Sequence, residues 1–197
     1  KVKKLLDFFL KNKKLTKIKK DILMINSIGS VMAESKKTSK PLMITCASLG
    51  CHETVFSVAI SLAYYLSTEN SHILLLDYTK KAKQWATQLT PVASKVTGNN
   101  REMIHLSQNL SYLNKNQEIE NQETNTDEAK PEETSDIVIQ IVEEIESEPY
   151  SLRQTLRSDF FVLVALAKKT RITDLQRFKK AVGSKMEKCV SGIFVTN

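Results

Sequence analysis

The sequence predicts an α/β domain, a mostly parallel β-sheet with helices on both faces. Three observations carry that reading. Residues 42–45, 72–76, 137–142 and 160–165 form short, almost wholly apolar runs, the pattern of strands buried on both sides. Between them lie segments of helical period, of which residues 53–67 are the clearest, with Val55, Val58, Ala59, Leu62, Ala63 and Leu66 on one side. Finally, 197 residues with 41% hydrophobic and 26% charged side chains suit one well-buried core and leave little for a second. Strands alternating with helices give a parallel sheet, because each parallel return needs a crossover.

The elements follow in chain order. Residues 1–20 mix nine lysines and one acid, Asp7, with Leu5, Leu6, Phe8, Phe9, Leu10, Leu15 and Ile18. As a helix this is a basic amphipathic arm, in which Lys3, Lys4, Phe8, Phe9, Lys11, Lys13 and Lys14 are the candidate contacts with an anionic membrane. Such lysines also collect on the cytoplasmic side of a membrane-spanning helix, while a solvated helix packed on the domain is the plainer alternative. Residues 21–197 are read as the domain itself. A helix is expected over 21–35, a Ser/Lys-rich loop over 35–40, and the first strand over 42–45.

The second strand, 72–76, ends in Asp77, and a helix with Trp85 and Leu89 on its apolar side is expected over 80–89. A weak strand follows at 110–113. Residues 114–134 have almost no apolar content and read as a flexible acidic loop. Strands at 137–142, 160–165 and 191–195 then alternate with helices at 151–156 and 173–182.

The formal net charge of +7 hides a division. Residues 114–148 hold 12 of the 22 acidic side chains against Lys115 and Lys130, a net −10, so the remainder carries +17. A cationic arm and body interrupted by an acidic insert is not the uniform basic surface of a nucleic-acid-binding protein, and the sequence has no recognition-helix signature. No apolar run approaches the ~18 residues of a membrane span. Cys46, Cys51 and Cys189 form no CxxC pair, and His52, His72 and His105 lack metal-ligand spacing, so packing outweighs metal binding for both residue types and no metal is expected. Cys46 is expected at the end of the first strand.

The stretch PLMITCASLGCHETVFSVAISLAYYL, followed by HILLLDYTKKAKQW, resembles the start of the deviant-Walker P-loop ATPases of the MinD/ParA kind. It is most similar to the tyrosine autokinases of bacterial capsule and exopolysaccharide synthesis. Their pattern is a strand, a G-x-G-K-[ST] loop, a helix and a second strand ending in Asp. Here Gly50, Cys51, His52, Glu53 and Thr54 stand in the loop, and Asp77 ends the second strand. NLSYL, SDIVIQIVEEIES, SDFFVLVALAKKTRITDLQRFKKAV and SGIFVTN are similar, in order and spacing, to the later strands and helices of that family. The alignment puts Ile141 at the family's other acidic position, with Glu143 and Glu144 just beyond.

The resemblance implies a P-loop NTPase-like fold; the residues argue against its chemistry. A P-loop holds phosphate with backbone N–H groups, a helix dipole and one lysine, while a hydroxyl meets magnesium. Thr54 keeps the hydroxyl, but His52 replaces a glycine and Glu53 replaces the lysine. Two unit charges ~4 Å apart interact by ~4 kcal/mol at an effective dielectric of 20. Attraction turned to repulsion removes on the order of three decades of affinity or more. Asp77 is the one residual acid, and a carboxylate ending a strand is also a common structural cap. Lys168, Lys169 and Arg171 make a basic turn whose default role is solvation.

No catalytic residue and no cofactor are therefore expected. The expected function is a non-catalytic scaffold or regulator at the cytoplasmic face of an inner-membrane assembly that makes or exports surface polysaccharide. Its implied partners are a membrane-embedded polysaccharide co-polymerase or synthase component, an anionic membrane surface and a second copy of the chain, with no specific nucleic acid. The alternative is a divergent, active MinD/ParA-like ATPase that uses Lys80 or Lys81 on the phosphates.

Overall fold

The structure, a computed structural model, describes residues 41–49, 52–68, 71–93, 95–97, 103–115, 134–143, 149–165 and 170–184. Outside the described residues lie the N-terminal arm with its candidate membrane contacts, the helix expected over 21–35, Gly50, Cys51, most of the acidic loop, Lys168, Lys169 and the strand expected over 191–195. The described elements are β1 (Leu42–Leu49), α1 (His52–Thr68), β2 (Ile73–Asp77), α2 (Ala82–Leu89), β3 (Lys95–Thr97), β4 (Met103–His105), β5 (Leu110–Asn114), β6 (Ile137–Val142), α3 (Pro149–Arg157), β7 (Phe160–Ala165) and α4 (Ile172–Val182). A 3₁₀ turn, Thr90–Val92, closes α2.

The strands form one sheet in the order β3-β4-β5-β2-β6-β1-β7. From β5 to β7 every pairing is parallel, whereas β4 runs antiparallel to β5 and β3 antiparallel to β4. The predicted class, a mostly parallel sheet with helices on both faces, is the observed one. Strand alternation divides the core. Leu42, Ile44 and Cys46 of β1, Ile137, Ile139 and Ile141 of β6, and Val162 and Val164 of β7 pack with Val55, Ala59, Leu62 and Leu66 of α1 and Ala86 and Leu89 of α2. On the opposite face Ala47, Leu49, Val142, Phe161 and Leu163 meet Phe178 and Val182 of α4, with Leu152 and Leu156 of α3 against them. That second face also contains a polar seam, where the Thr45 hydroxyl donates to Gln140 Oε1 at 3.2 Å and contacts the Ser158 hydroxyl.

Two expectations are corrected. First, β1 extends to Leu49 rather than stopping at Thr45, and Cys46 lies mid-strand. Cys46, Ala47 and Ser48 are small enough to sit between two flanking strands, and Cys46 pairs with Ile141 on one side and Val162 on the other. Second, β3 and β4 were not foreseen; three residues each are too few to show a period. Burial pushes the Cys46 thiol up to about 12, which keeps it an unreactive packing group.

The chain order places the crevice. The connection from β1 crosses β6 to reach β2, while that from β6 crosses β1 to reach β7. Neighbouring strands whose connections leave in opposite directions open a crevice outside their carboxyl ends, where open α/β sheets bind ligands.

Candidate functional site

Three strand ends meet at that edge. After β1, α1 begins at His52, so the backbone of Glu53 lies in its first turn, and Thr54 is half-buried. The helix forms there because apolar residues at positions 55, 59, 62 and 66 recur on one face, and all four are buried. Its far end is closed by side chains, since Ser67 Oγ donates to Tyr64 O at 2.7 Å and Thr68 Oγ1 to Tyr65 O at 2.6 Å.

At the end of β2, Asp77 is fully buried. Its Oδ1 accepts the Thr79 backbone N–H at 2.9 Å, an Asx turn that takes the chain from β2 toward α2. Its Oδ2 lies 2.9 Å from the Tyr112 hydroxyl of β5, which is also 2.9 Å from Ala82 O at the start of α2. Asp77 pairs in register with Asn114 on β5 and Ile141 on β6. Desolvation is the main influence on its carboxyl. Hydrogen bonds from Thr79 and Tyr112 oppose it, the Glu143 charge adds to it, and the pKa rises to about 6. The Tyr112 hydroxyl is pushed upward, first by burial and then by the neighbouring Asp77 charge.

Beyond β6 the chain places a second carboxylate. Ile141, the position aligned with the family's acid, is buried inside the strand, and Glu143 is the residue that emerges. Glu143 is itself buried, and its Oε1 accepts the Lys80 backbone N–H at 2.8 Å. The turn between β2 and α2 is thus held by two acids from adjacent strand ends, with Tyr78 N donating to Ile141 O at 3.0 Å beside them. Lys80 is exposed, Lys81 is half-buried, and Lys115, just past β5, is buried.

Of the residues singled out from sequence, the fold brings the backbones of His52, Glu53 and Thr54 and the side chain of Asp77 to one sheet edge. Three partners of Asp77 were not anticipated. The sequence offers Glu143 only as an acid just beyond the aligned Ile141, and it singles out neither Tyr112 nor Thr79. A usable signal existed for Tyr112, because a buried position of an apolar strand that carries a hydroxyl needs a polar partner. His72 and His105 do not join the site. His72 is exposed just before β2 rather than opening a buried strand, and His105 Nδ1 is 2.9 Å from Ser111 Oγ on the neighbouring strand. Arg171 is exposed, and its backbone N–H donates to Asp174 Oδ2 at 2.9 Å at the start of α4. Among the described residues, no group of three or more His, Cys, Asp or Glu is arranged to hold a metal ion. No helix among them is long and apolar enough to cross a membrane.

No family model matches the chain, and no curated protein matches it significantly in sequence. Among solved structures it is similar to a plasmid partition protein from Borrelia burgdorferi, with a TM-score of 0.52 and 17% identity over 79% of this chain and 78% of that one. A ParA family ATPase from Chlorobium tepidum TLS overlays with a TM-score of 0.48 and 12% identity, over 78% of this chain and 73% of its own. The BceF tyrosine kinase domain gives 0.48 and 10%, over 86% and 76%. At such identities the first likeness concerns the fold.

Proposed function

On the premise that the chain has the α/β fold of the P-loop NTPases, we propose that it is a non-catalytic member of that fold, a scaffold or regulator. One observation supports this most strongly. The first turn of α1, where the fold presents backbone N–H groups to phosphate, carries Glu53 in place of the lysine. A carboxylate there is stabilised by the helix dipole and competes with an anion for the same N–H groups. The acids at the neighbouring strand ends are already committed, Asp77 to Thr79 and Tyr112, and Glu143 to the Lys80 backbone. The residues present therefore do not suit a magnesium–triphosphate group.

The setting proposed for this scaffold is the cytoplasmic face of a membrane-associated assembly that makes or exports surface polysaccharide. The sequence resemblance to the autokinases supports it, as does the lysine-rich arm, and its partner would be a membrane-embedded component. Polysaccharide enters through family likeness, since a fold hosts many functions. The arm (1–20) and the domain (21–197) would divide the work, the first at the membrane and the second as a docking body.

Isothermal titration with ATP and magnesium tests the reading. The native chain is expected to give no binding heat at micromolar ATP, whereas the double substitution His52→Gly and Glu53→Lys should gain at least tenfold in affinity. Micromolar binding by the native chain would overturn the proposal in favour of a divergent MinD/ParA-like ATPase.

A further inference from the structure

We propose that Asp77, Tyr112 and Thr79 form a proton-operated clamp on the amino end of α2. Hydrogen-bond stoichiometry carries the proposal, independently of whether the fold ever binds nucleotide. The Tyr112 hydroxyl has one proton, yet it lies 2.9 Å from each of two acceptors, Asp77 Oδ2 and Ala82 O. Both contacts are satisfied together when the carboxyl carries a proton. Asp77 then donates to the tyrosine oxygen, and the tyrosine donates to Ala82 O. In that arrangement the Thr79 hydroxyl, buried and without a hydrogen-bond partner, stands idle beside the carboxyl.

Loss of the proton to solvent reverses these roles. The carboxylate has no proton to give and attracts donors, so the Tyr112 proton turns from Ala82 O to Oδ2, and the Thr79 hydroxyl rotates to become a further donor. Meanwhile Oδ1 keeps the Thr79 backbone N–H in both states. Ala82 O loses its side-chain partner, and the start of α2 is released from β5. No side-chain cap replaces that tie, because the residue before the helix is Lys81, whose side chain makes no capping bond.

The surroundings suit a switch near neutrality. Charged and titratable groups on the elements around Asp77 are Glu143 after β6, Lys115 after β5, Lys80 and Lys81 in the turn, Lys83 on α2, and His52 and Glu53, whose backbones open α1. Burial and the Glu143 charge both favour the protonated carboxyl, bringing its titration to about 6. A readout is built in as well. Trp85, the single tryptophan of the chain, sits on α2 and stacks on Phe56 of α1 with ring centroids 4.2 Å apart and planes 4° from parallel. Phe56 in turn meets the Tyr112 ring edge-on at 6.2 Å.

The test is the fluorescence of Trp85 in the full chain between pH 4.5 and 8. The native protein should show one transition centred near pH 6. Asp77→Asn should abolish it, because the amide cannot titrate, and Tyr112→Phe should abolish it by cutting the link to Ala82 while leaving the acid. Thr79→Val should move the midpoint upward by removing a donor that favours the ionised form. A flat native profile overturns the clamp. So does a transition that persists in Asp77→Asn, which would place it on a group such as a histidine. Should Asp77→Asn fail to fold, persistence of the transition in Tyr112→Phe is equally decisive.

Discussion

Both ends of the central sheet use carboxylates to hold backbone N–H groups, and they do so in different surroundings. At the amino edge, Asp136 Oδ2 accepts the His72 backbone N–H at 2.8 Å and Asp159 Oδ2 accepts that of Met43 at 2.9 Å, with both acids exposed. At the carboxyl edge, Asp77 and Glu143 make the same kind of bond from buried positions. The bond is alike; the cost of the charge is not. A solvated carboxylate keeps its water on one side while it accepts an amide proton, whereas a buried one is desolvated and depends on every donor around it. Parallel topology sets the two edges apart, because it gathers the carboxyl strand ends beneath the first turns of the helices and the amino ends beside their last turns.

Asp77→Ala is the largest expected break in that contrast. It leaves the Thr79 N–H without an acceptor in a buried site and opens a small void, so it should cost about 2–4 kcal/mol by chemical denaturation. Asp77→Asn keeps an acceptor for Thr79 and can donate to the Tyr112 oxygen as the protonated carboxyl does, and should change stability at pH 4 by less than about 1 kcal/mol. If the amide proves as damaging as alanine, the negative charge itself is required, and the carboxyl edge is better solvated than its burial implies.

The next effect is on pH dependence. A carboxyl whose pKa is higher in the folded than in the unfolded chain binds more protons when folded, so it favours folding at low pH. That contribution is present below about pH 4, is lost as the pH rises toward about 6, and is absent above. From the ordinary value of 3.8 to about 6 the change amounts to about 3 kcal/mol. Denaturation curves of the native chain and of Asp77→Asn, subtracted at each pH, should isolate it from the other acids. A difference that does not change between pH 4 and 7 would mean that the carboxyl is ionised throughout.

The legible and illegible parts of the molecule separate along a similar line. Residues 137–142 and 160–165 were bounded from sequence because both faces of those strands are buried, so every residue is apolar or, like Gln140, tied to a neighbour. Asp77 was legible as an acid that ends a strand. Its attachment to Tyr112 was not, because those residues are 35 apart in the chain and meet through the β2–β5 pairing, which no local pattern encodes. Glu143 was noticed as an acid two residues past an aligned position. Its bond to the Lys80 backbone depends on β6 lying between β1 and β2, a matter of strand order alone.

The smallest expected effect belongs to the amino edge. Asp136 and His72 bond reciprocally, since the Asp136 N–H donates to His72 O at 2.9 Å while the carboxylate accepts from His72 N. Asp159 and Met43 repeat the arrangement, with Asp159 N donating to Met43 O at 2.9 Å. Replacing either aspartate by alanine leaves the backbone half of the pair intact and frees an N–H beside an exposed position, where water can take the vacated place. Each substitution should therefore cost about 1 kcal/mol or less, the net worth of one solvated hydrogen bond. Equilibrium unfolding of Asp136→Ala and Asp159→Ala decides the matter. A loss above about 2 kcal/mol would put the amino edge in the same dry regime as Asp77, and exposure would no longer explain why the two ends of the sheet differ.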